Sequence, residues 1–400
     1  MAPNRTKYPL PSTPVLDWCS FAPARQAARV HSIDDISEAV ITTSGRAAIY
    51  QALLQLRLAP GSIVLAPTYH CPTMIAPVIL ANLDVEFFGL RPDGLPNLSS
   101  IDSSTASKAK AIIVSHYFGL ARSLAEVRNW CDEHRIALIE DCAHCYFGDA
   151  GERPVGTWGD FSTASLSKFF PVPEGGVLAS ARAHISALNL APQDFKSQLK
   201  AWADILETSI VHGRFAGING VLALLFKLKK LTRRAEGDAG NTEARSDAAS
   251  MMQICDMARI AQTPAGAAVM LKTVLPRGQI IAKRRRNSAI FARHFEHARG
   301  AQPLFPKEDE KAVPYVFPLW VEEPDRVYHA LRAQNLRVFR WDNVWPGIPQ
   351  IPGDVGPSWS RHVLQFLCHQ DLSESDITHT ALTTLNLVSS AEPPTGTLAQ

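Results

Sequence analysis

The chain has 400 residues, of which 46% are hydrophobic and 20% are charged, and this composition is typical of a globular protein with two or three domains. Forty Lys and Arg residues against 38 Asp and Glu residues leave a formal net charge of +2, which argues against nucleic acid or another polyanion as the main partner. Seven cysteines, an odd number in a long chain, argue against a disulfide-stabilised secreted scaffold.

Targeting and membrane signals are weak throughout the sequence. Residues 1–20 contain no apolar run of the kind found in a signal peptide. The uncharged, mostly apolar run at residues 215–226 is shorter than the roughly 20 residues that cross a bilayer. We therefore expect a cytoplasmic protein.

Short apolar runs alternate with helical patterns between residues 39 and 180. The predicted strands are residues 63–66, 85–88, 111–115, 137–140, 161–165 and 176–179. Helical patterns at 47–58 and 124–133 lie between some of them. Residues 111–114 are continuously apolar, which is typical of a parallel strand covered on both faces. This part of the chain predicts a layered α/β domain whose ligands bind at the carboxyl ends of the strands.

The rest of the chain has a different pattern. Helices are predicted at residues 198–206, 221–231, 267–275 and 279–297, and a polar loop at 234–249. A smaller C-terminal α+β domain is indicated by segments 315–321, 326–334, 338–340 and 377–385. We expect an N-terminal arm (1–30), a large domain (31–265) with an insert at about 185–250, a small domain (266–390) and a disordered tail (391–400).

The segment TSGRAA, residues 43–48, opens the first predicted helix. Its hydroxyls and amides at the positive end of a helix are suited to bind a phosphate. By itself, the same segment is more simply interpreted as an ordinary helix N-cap.

Two further segments follow predicted strands. PTYHCP, residues 67–72, contains two flat rings, Tyr69 and His70, that could stack on a planar cofactor, although a turn between two prolines is as good an interpretation. The strand 137–140 is followed by Asp141, whose carboxylate needs a partner in a partly buried crevice. Cys142 and Cys145 have the spacing of a zinc or dithiol motif. No second ligand pair completes a metal site, so buried free thiols are favoured and no metal is predicted.

The segment SLSK, residues 165–168, places Lys168 directly after a strand, with Ser165 at its start. A lysine in a pocket can lose its proton and form a Schiff base, whereas an isolated lysine is usually a surface charge. The order of the four segments is more informative than any one of them. Together they supply a phosphate anchor, a ring stack, a partner for a pyridine nitrogen and a partner for an aldehyde, which are the needs of pyridoxal 5′-phosphate (PLP).

These segments resemble the sugar aminotransferases of the DegT/DnrJ/EryC1/StrS family. The resemblance covers residues 42–179 and rests on SGRAAI (44–49), SHYFG (115–119), IEDCAH (139–144), GTWGD (156–160) and EGG (174–176), together with Ser165 and Lys168. It implies a fold-type I PLP-dependent enzyme, with a mixed, mostly parallel sheet in the large domain and a smaller C-terminal α+β domain.

The resemblance also implies roles for individual residues. Lys168 would bind PLP and move protons, and Asp141 would hold the pyridine nitrogen. The remaining cofactor contacts implied are Ser44, Gly45, Arg46, Tyr69 or His70, His144 and Ser165, and substrate contacts are implied for His116, Tyr117 and Glu174. Arg46 stands where the family usually has threonine. His144 stands where the family usually has glutamine, and we expect its imidazole to titrate near neutrality.

The resemblance implies transfer of an amino group from glutamate to a nucleotide-linked keto-sugar, in surface polysaccharide or secondary-metabolite biosynthesis. Two alternatives remain open at this stage. One is a fold-type I PLP enzyme with lyase, cyclase or other transferase chemistry on an amino-acid-like metabolite. The other is a non-catalytic PLP- or sugar-binding regulator. A homodimer is implied by the resemblance alone.

The predicted insert contains a basic cluster after an apolar stretch: Lys227, Lys229, Lys230, Arg233 and Arg234. Such a segment could make weak contact with an anionic membrane surface or receive a diphosphate substrate. An amphipathic helix with a solvated end remains the favoured interpretation.

Overall fold

A computed structural model describes residues 8–22, 30–221, 248–306 and 311–390. Four predictions therefore lie outside the described residues, wholly or nearly so: the helix at 221–231, the basic cluster at 227–234, the polar loop at 234–249 and the tail at 391–400. Within the described residues, no helix is long and apolar enough to cross a membrane.

The large sheet has seven strands in the order β1-β9-β8-β5-β4-β2-β3. Its strands are β1 (Glu38–Thr42), β2 (Ile63–Pro67), β3 (Asp84–Phe88), β4 (Ala109–Ser115), β5 (Ala137–Asp141), β8 (Phe161–Ser165) and β9 (Gly176–Ser180). Only β9 is antiparallel to its neighbours, β1 and β8. The expectation of a mixed, mostly parallel sheet is therefore confirmed.

Buried runs form the centre of this sheet, as their composition predicts. In β4, only Lys110 is exposed, so both faces of the strand are covered by other elements. A short hairpin, β6 (Asp149–Ala150) and β7 (Arg153–Pro154), lies between β5 and β8 and was not predicted. Its strands are only two residues long and carry no alternating pattern.

Helices cover the sheet: α1 (Gly45–Gln55), α2 (Pro72–Leu80), α3 (Ser103–Lys108) and α4 (Ala125–His134). Three of these four follow a polar N-cap or start with proline. The Ser44 hydroxyl accepts a hydrogen bond from the Ala47 amide and caps α1, so this helix begins two residues earlier than predicted. The α2 helix was not predicted, although Pro72 at its first position is a typical start signal.

The segments that follow are helical: α5 (Phe195–Val211), α6 (Ala248–Ile254), α7 (Gly266–Val274) and α8 (Arg277–Phe295). Helix α6 begins at Ala248, so the predicted loop at 234–249 is wrong for its last two residues. The other predicted helices in this part of the described chain agree with the structure within about four residues at each end.

The C-terminal part forms an antiparallel sheet in the order β10-β11-β13-β12. Its elements are β10 (Ala301–Pro303), β11 (Val316–Val321), α9 (Pro324–Ala333), β12 (Val338–Phe339), α10 (Gly356–His362), β13 (Val363–Leu367) and α11 (Glu374–Ser389). The central strand β13 was not predicted. Its run VLQFL is short and directly follows a helical turn, which hides the strand pattern. The domain boundaries drawn from the sequence stay a prediction.

One hydrophobic cluster joins the two sheets. It contains Ile112 and Leu138 from the large sheet together with Phe317 and Phe366 from the small sheet. The aromatic ring of Trp359 lies within the same cluster and is only 4% exposed. The small domain therefore shares a core with the large one. This packing fixes the position of the small-domain residues relative to the large sheet.

Candidate active site

A cavity of about 300 Å³ opens at the carboxyl ends of β4, β5 and β8. This is the edge at which the sequence predicted a ligand site. The predicted site residues that line the cavity are Ser44, Gly45, Arg46, His116, Asp141, His144, Ser165, Lys168 and Glu174. Residues far apart in the sequence therefore meet at one opening.

Lys168 lies at the end of a 3-10 turn, Leu166–Lys168, directly after β8. Its Nζ atom lies 5.2 Å from the centre of the Tyr315 ring. Burial lowers the pKa of Lys168 below its ordinary value, while the negative charge of Asp141 acts in the opposite direction. The amine is therefore easier to deprotonate than a surface lysine, as a nucleophile or proton carrier requires.

Asp141 ends β5 and is fixed by groups on both neighbouring strands. Its carboxylate accepts hydrogen bonds from the Ala143 amide at 3.0 Å, the Ser115 hydroxyl at 3.3 Å and the Thr163 hydroxyl at 3.4 Å. Ser115 ends β4 and Thr163 lies in β8. The sheet itself therefore sets the orientation of this carboxylate.

The preceding residue, Glu140, points to the other side of the strand and is completely buried. It accepts hydrogen bonds from the amides of Gly156 at 2.7 Å, Trp158 at 2.8 Å and Gly159 at 3.1 Å. His116 donates through Nε2 to the same carboxylate at 2.9 Å. Desolvation opposes ionisation of Glu140, but the bonds from His116 and the amides outweigh it and lower its pKa.

Glu140 also forms a cluster with His116 and Cys142. One potential metal-ligand atom of each residue lies within 4.8 Å of the other two, so the geometry alone would allow a metal site. Protein donors already occupy both oxygens of Glu140. Burial raises the pKa of the Cys142 and Cys145 thiols well above their usual value, and both are free. The interpretation of these two cysteines as buried free thiols therefore stands for the described residues.

His144 lines the cavity with a ring that stays neutral. Its Nδ1 accepts a hydrogen bond from the Phe118 amide at 3.2 Å, which assigns the proton to Nε2. Burial lowers the pKa of His144 well below its usual value, and the Lys168 charge lowers it further. The expectation that this imidazole titrates near neutrality is therefore wrong, because the ring is packed against Tyr315 and Trp341 at 4.5 and 4.9 Å.

The prediction that Tyr69 or His70 stacks on a cofactor needs correction, because neither side chain lines the cavity. The Tyr69 hydroxyl accepts a hydrogen bond from Gln365 Nε2 at 3.1 Å, and its ring packs 5.1 Å from Trp341. His70 donates from Nδ1 to the Pro67 carbonyl and accepts from the Trp345 amide. Both rings are held by the domain core behind the site.

The residue of that loop which does line the cavity is Cys71. Cys71 is not among the residues predicted for the site, since a small side chain carries no stacking signal. Trp341 was missed altogether, because it comes from the small domain at a great distance in the sequence.

Two predicted substrate contacts have different positions. Tyr117 lies outside the cavity lining, with its hydroxyl donating to the Tyr69 carbonyl at 2.7 Å, so its prediction as a substrate contact is corrected. Glu174 lines the cavity, and its carboxylate accepts from Arg259 Nη2 at 2.5 Å and from the Ala265 amide at 2.5 Å. It holds the segment that follows α6 against the cavity.

Arg46 lies in the first turn of α1 and is directed across the cavity mouth. Its guanidinium donates to the Asp256 carbonyl at 3.0 Å and lies 3.5 Å from the Asp256 carboxylate. Asp256 has a left-handed φ of +45°, which Asp tolerates better than most residues. Arg46 therefore links α1 to the segment after α6 beside the cavity. No pattern in the sequence indicated Asp256 as the partner of Arg46.

The fold and cavity define the class of protein. A large, mostly parallel sheet with its site at the strand ends, followed by a small antiparallel domain, is the fold-type I architecture expected from the sequence, and the expectation is confirmed by solved structures. A putative sugar aminotransferase from Streptococcus pneumoniae, in its PLP form, superposes with a TM-score of 0.64 at 14% identity, covering 96% of this chain and 99% of that chain. A DegT DnrJ EryC1 StrS aminotransferase from Brucella abortus gives 0.59 at 17% identity over 88% and 86%.

Residues 30–189 match the model of the DegT/DnrJ/EryC1/StrS aminotransferase family, so the resemblance inferred from the sequence is confirmed for this part of the chain. GDP-perosamine synthase from Vibrio cholerae is 27% identical over 176 residues, which is 43% of this chain and 48% of the relative. A lipopolysaccharide biosynthesis protein from Salmonella typhimurium is 32% identical over 157 residues, 36% and 35% of the two chains. The chain spans about half the length, or less, of these curated relatives.

Proposed function

We propose that this protein is a PLP-dependent aminotransferase that moves an amino group to a keto-sugar. The observation that carries the proposal is the meeting of Asp141 and Lys168 at one cavity, at the ends of the neighbouring strands β5 and β8. The N-terminal end of α1 opens into the same cavity. The family match over residues 30–189 supports the same reaction class.

The donor set of the cavity fits PLP. Ser44 and Gly45 lie at the positive end of α1, where a phosphate is favourably bound. Ser165, the last residue of β8, lines the same part of the cavity. Asp141 offers a fixed carboxylate for a protonated ring nitrogen, and Lys168 offers an amine for an aldehyde. The neutral imidazole of His144 offers an Nε2–H for a phenolic oxygen.

When bound, the cofactor supplies an aldehyde and an electron-accepting ring. The residues of the chain then have distinct tasks. Lys168 would hold the cofactor through Nζ, and its amine would carry a proton from and to the substrate carbon as general base and acid. Asp141, held by Ser115, Thr163 and the Ala143 amide, would hold a protonated ring nitrogen.

The substrates follow from the relatives rather than from the cavity. GDP-perosamine synthase and a UDP-N-acetyl-3-dehydro-glucosamine 3-aminotransferase are both named for reactions on nucleotide-linked sugars. Two other relatives are named for glutamine as donor and an inosose as acceptor. We propose a nucleotide-linked keto-sugar as acceptor and glutamate as donor, with glutamine as the alternative donor to include in any screen.

The proposal extends to assembly and place of action. We propose a homodimer, acting in the cytoplasm where nucleotide-linked sugars are made. Sedimentation of the loaded enzyme tests the dimer. Vesicles of anionic lipid at low salt test the weaker idea of membrane contact through the basic cluster at 227–234.

The decisive experiment is spectroscopic. Protein incubated with PLP and dialysed should show a visible absorption band, and borohydride should fix the cofactor irreversibly to the peptide containing Lys168. Glutamate should then convert the band to that of the aminated cofactor, and a panel of keto-sugar nucleotides should restore it.

Lys168→Ala should lose both the trapping and the conversion, whereas Lys196→Ala, an exposed lysine of α5, should retain both. Protein that binds no PLP contradicts the proposal as a whole. Conversion by other amines but not by glutamate or glutamine contradicts only the choice of donor.

A further inference from the structure

Arg284 is a completely buried arginine in the middle of α8. Its Nη2 donates to the carbonyl of Lys168 at 2.6 Å. Its Nη1 donates to the carbonyls of Pro314 and Tyr315, both at 3.2 Å. One side chain therefore holds the main chain of the site lysine and the main chain of Tyr315, the residue whose ring faces the lysine amine.

Gln370, which follows β13, completes this network. Its side-chain oxygen accepts from Arg284 Nε at 3.0 Å, and its side-chain nitrogen donates to the Phe169 carbonyl at 2.8 Å. The Arg284 guanidinium also lies 4.5 Å from the centre of the Phe169 ring. The two consecutive carbonyls of Lys168 and Phe169 are therefore both held by side chains from other parts of the fold.

The acceptors of Arg284 are all neutral oxygens. Among the described residues, no carboxylate lies within ion-pair distance of its guanidinium, so its direct partners are carbonyl oxygens, the Gln370 amide and the Phe169 ring, and the Asp371 carboxylate acts on it only from a longer distance. Burial lowers the pKa of Arg284 to about 10, which reflects the cost of this arrangement. A buried arginine without a carboxylate is poor for stability alone, because an apolar side chain would cost less to bury.

We propose that Arg284 and Gln370 are positioning residues that fix the backbone of Lys168 so that its amine serves both the cofactor and the substrate carbon. The lysine side chain has four rotatable bonds, and its reach depends on where its main chain is anchored. The guanidinium fork ties that anchor directly to Tyr315. The inference rests on the proposed function, in which Lys168 is the cofactor lysine.

The first variant is Arg284→Lys, which keeps the positive charge but loses the planar fork of donors. The matched control is Arg286→Lys, because Arg286 lies on the same helix and is directed toward Glu374 and the Leu372 carbonyl instead of Lys168. Three properties are measured on each PLP-loaded variant: the thermal unfolding midpoint, the pH at which the visible cofactor band changes, and the kcat and KM of the glutamate half-reaction.

In Arg284→Lys we expect the midpoint pH of the visible band to move by about one unit, because a loosened lysine changes its distance from Asp141 and Tyr315. The half-reaction should slow by about 10- to 100-fold in kcat, with KM changed by less than about threefold, since orientation and not binding is lost. Arg286→Lys should match the wild-type protein in the band and in kcat.

A second variant, Gln370→Met, removes the amide while keeping a similar volume, and it should move the band and kcat in the same direction by a smaller amount. A lowered unfolding midpoint with an unchanged band and unchanged kcat in both variants would show that the network serves folding only and would overturn the inference. Failure of both variants to fold would count against it in the same way. Wild-type protein without a visible band contradicts the proposed function instead, so the two failures are distinguishable.

Discussion

Asp141 and Glu140 are adjacent in β5 and have opposite tasks because successive side chains of a strand point to opposite faces. Asp141 is directed at the cavity by hydroxyls of the two neighbouring strands. Glu140 is directed into the core, where it binds the glycine-containing turn at 156–159. Of the two consecutive carboxylates, Asp141 therefore faces the proposed reaction site, whereas Glu140 stabilises the fold.

Replacing Asp141 with Asn should leave the fold intact and remove the charge that the site needs. The carboxamide has nearly the same shape, so we expect the unfolding midpoint to change little. The half-reaction with glutamate should slow by at least about 100-fold, the usual size of a lost acid–base or electrostatic contribution. Stopped-flow absorbance of the PLP-loaded protein measures it, with Asp84→Asn, exposed on edge strand β3, as the control. A variant within tenfold of wild type would remove Asp141 from the proposed site.

Replacing Glu140 with Gln should instead destabilise the fold, by about 3 kcal/mol at pH 7, because His116 and three amides lose a charged acceptor in a buried site. The folded pKa of Glu140 is lowered, so its contribution is present above the unfolded pKa of roughly 4.5 and is lost as the pH falls through the folded value. Urea unfolding at several pH values should show the difference between wild type and variant shrinking below that pH. A difference that stays constant down to pH 3 would contradict this explanation.

At the scale of elements, the start of α1 depends on a close approach by β9. A Cβ atom on Gly176 would lie 2.2 Å from the Ser44 carbonyl oxygen and 2.3 Å from its carbon, and both are main-chain atoms that cannot rotate away. Ser44 caps α1 and lines the cavity. The glycine therefore sets how near the end of the helix can come to the strand.

Gly176→Ala should cost about 2–3 kcal/mol through this overlap and should also weaken PLP binding, because the end of α1 must move. Gly220→Ala is the matched control, since among the described residues no atom outside its own helix backbone and chain neighbours lies within 4 Å of the Cβ it would gain. Chemical unfolding of the apo-proteins and titration with PLP measure the two effects. Equal stability of the two variants would show that the helix shifts without cost.

At the scale of the whole molecule, an aromatic group joins the two domains. Trp359 of α10 packs edge-on against Tyr69 at 5.7 Å and Tyr117 at 5.8 Å, which belong to the large domain. Trp341 of the small domain contacts Tyr69 and also lines the cavity. Because the cavity wall and the domain interface share these rings, the site forms only when the domains pack together.

We therefore expect the described domains to unfold in one cooperative transition, with far-ultraviolet circular dichroism and tryptophan fluorescence giving the same midpoint. Trp359→Ala should lower the free energy of unfolding by about 3–5 kcal/mol, as expected for a large buried aromatic side chain. Trp130→Ala, on the partly exposed side of α4, should cost much less. Two separated transitions in the wild-type protein would show that the domains fold independently.

The sequence alone determined six of the seven strands of the large sheet, most of the helices, the site edge, and the pair Asp141 and Lys168; strand β1 was missed. These follow from local patterns: continuous apolar runs for buried strands, and polar residues placed directly after them. Strand β13 and helix α2 were not predicted because each is short and adjoins a different local pattern. Strand β13 directly follows a helical turn, and helix α2 directly follows the loop that contains two rings.

Tertiary structure alone decided which rings face the cavity and which charges hold the lysine. Tyr69 and His70 carried the expected ring chemistry, but Tyr69 bonds to Gln365 and His70 stacks on Phe87, and Trp341 and Cys71 line the cavity instead. Arg284 stands in a run of basic residues, 283–286, yet it is buried and donates to the Lys168 carbonyl. A residue's chemistry can be read locally, whereas its partners depend on contacts between segments more than a hundred residues apart, and no local pattern contains them.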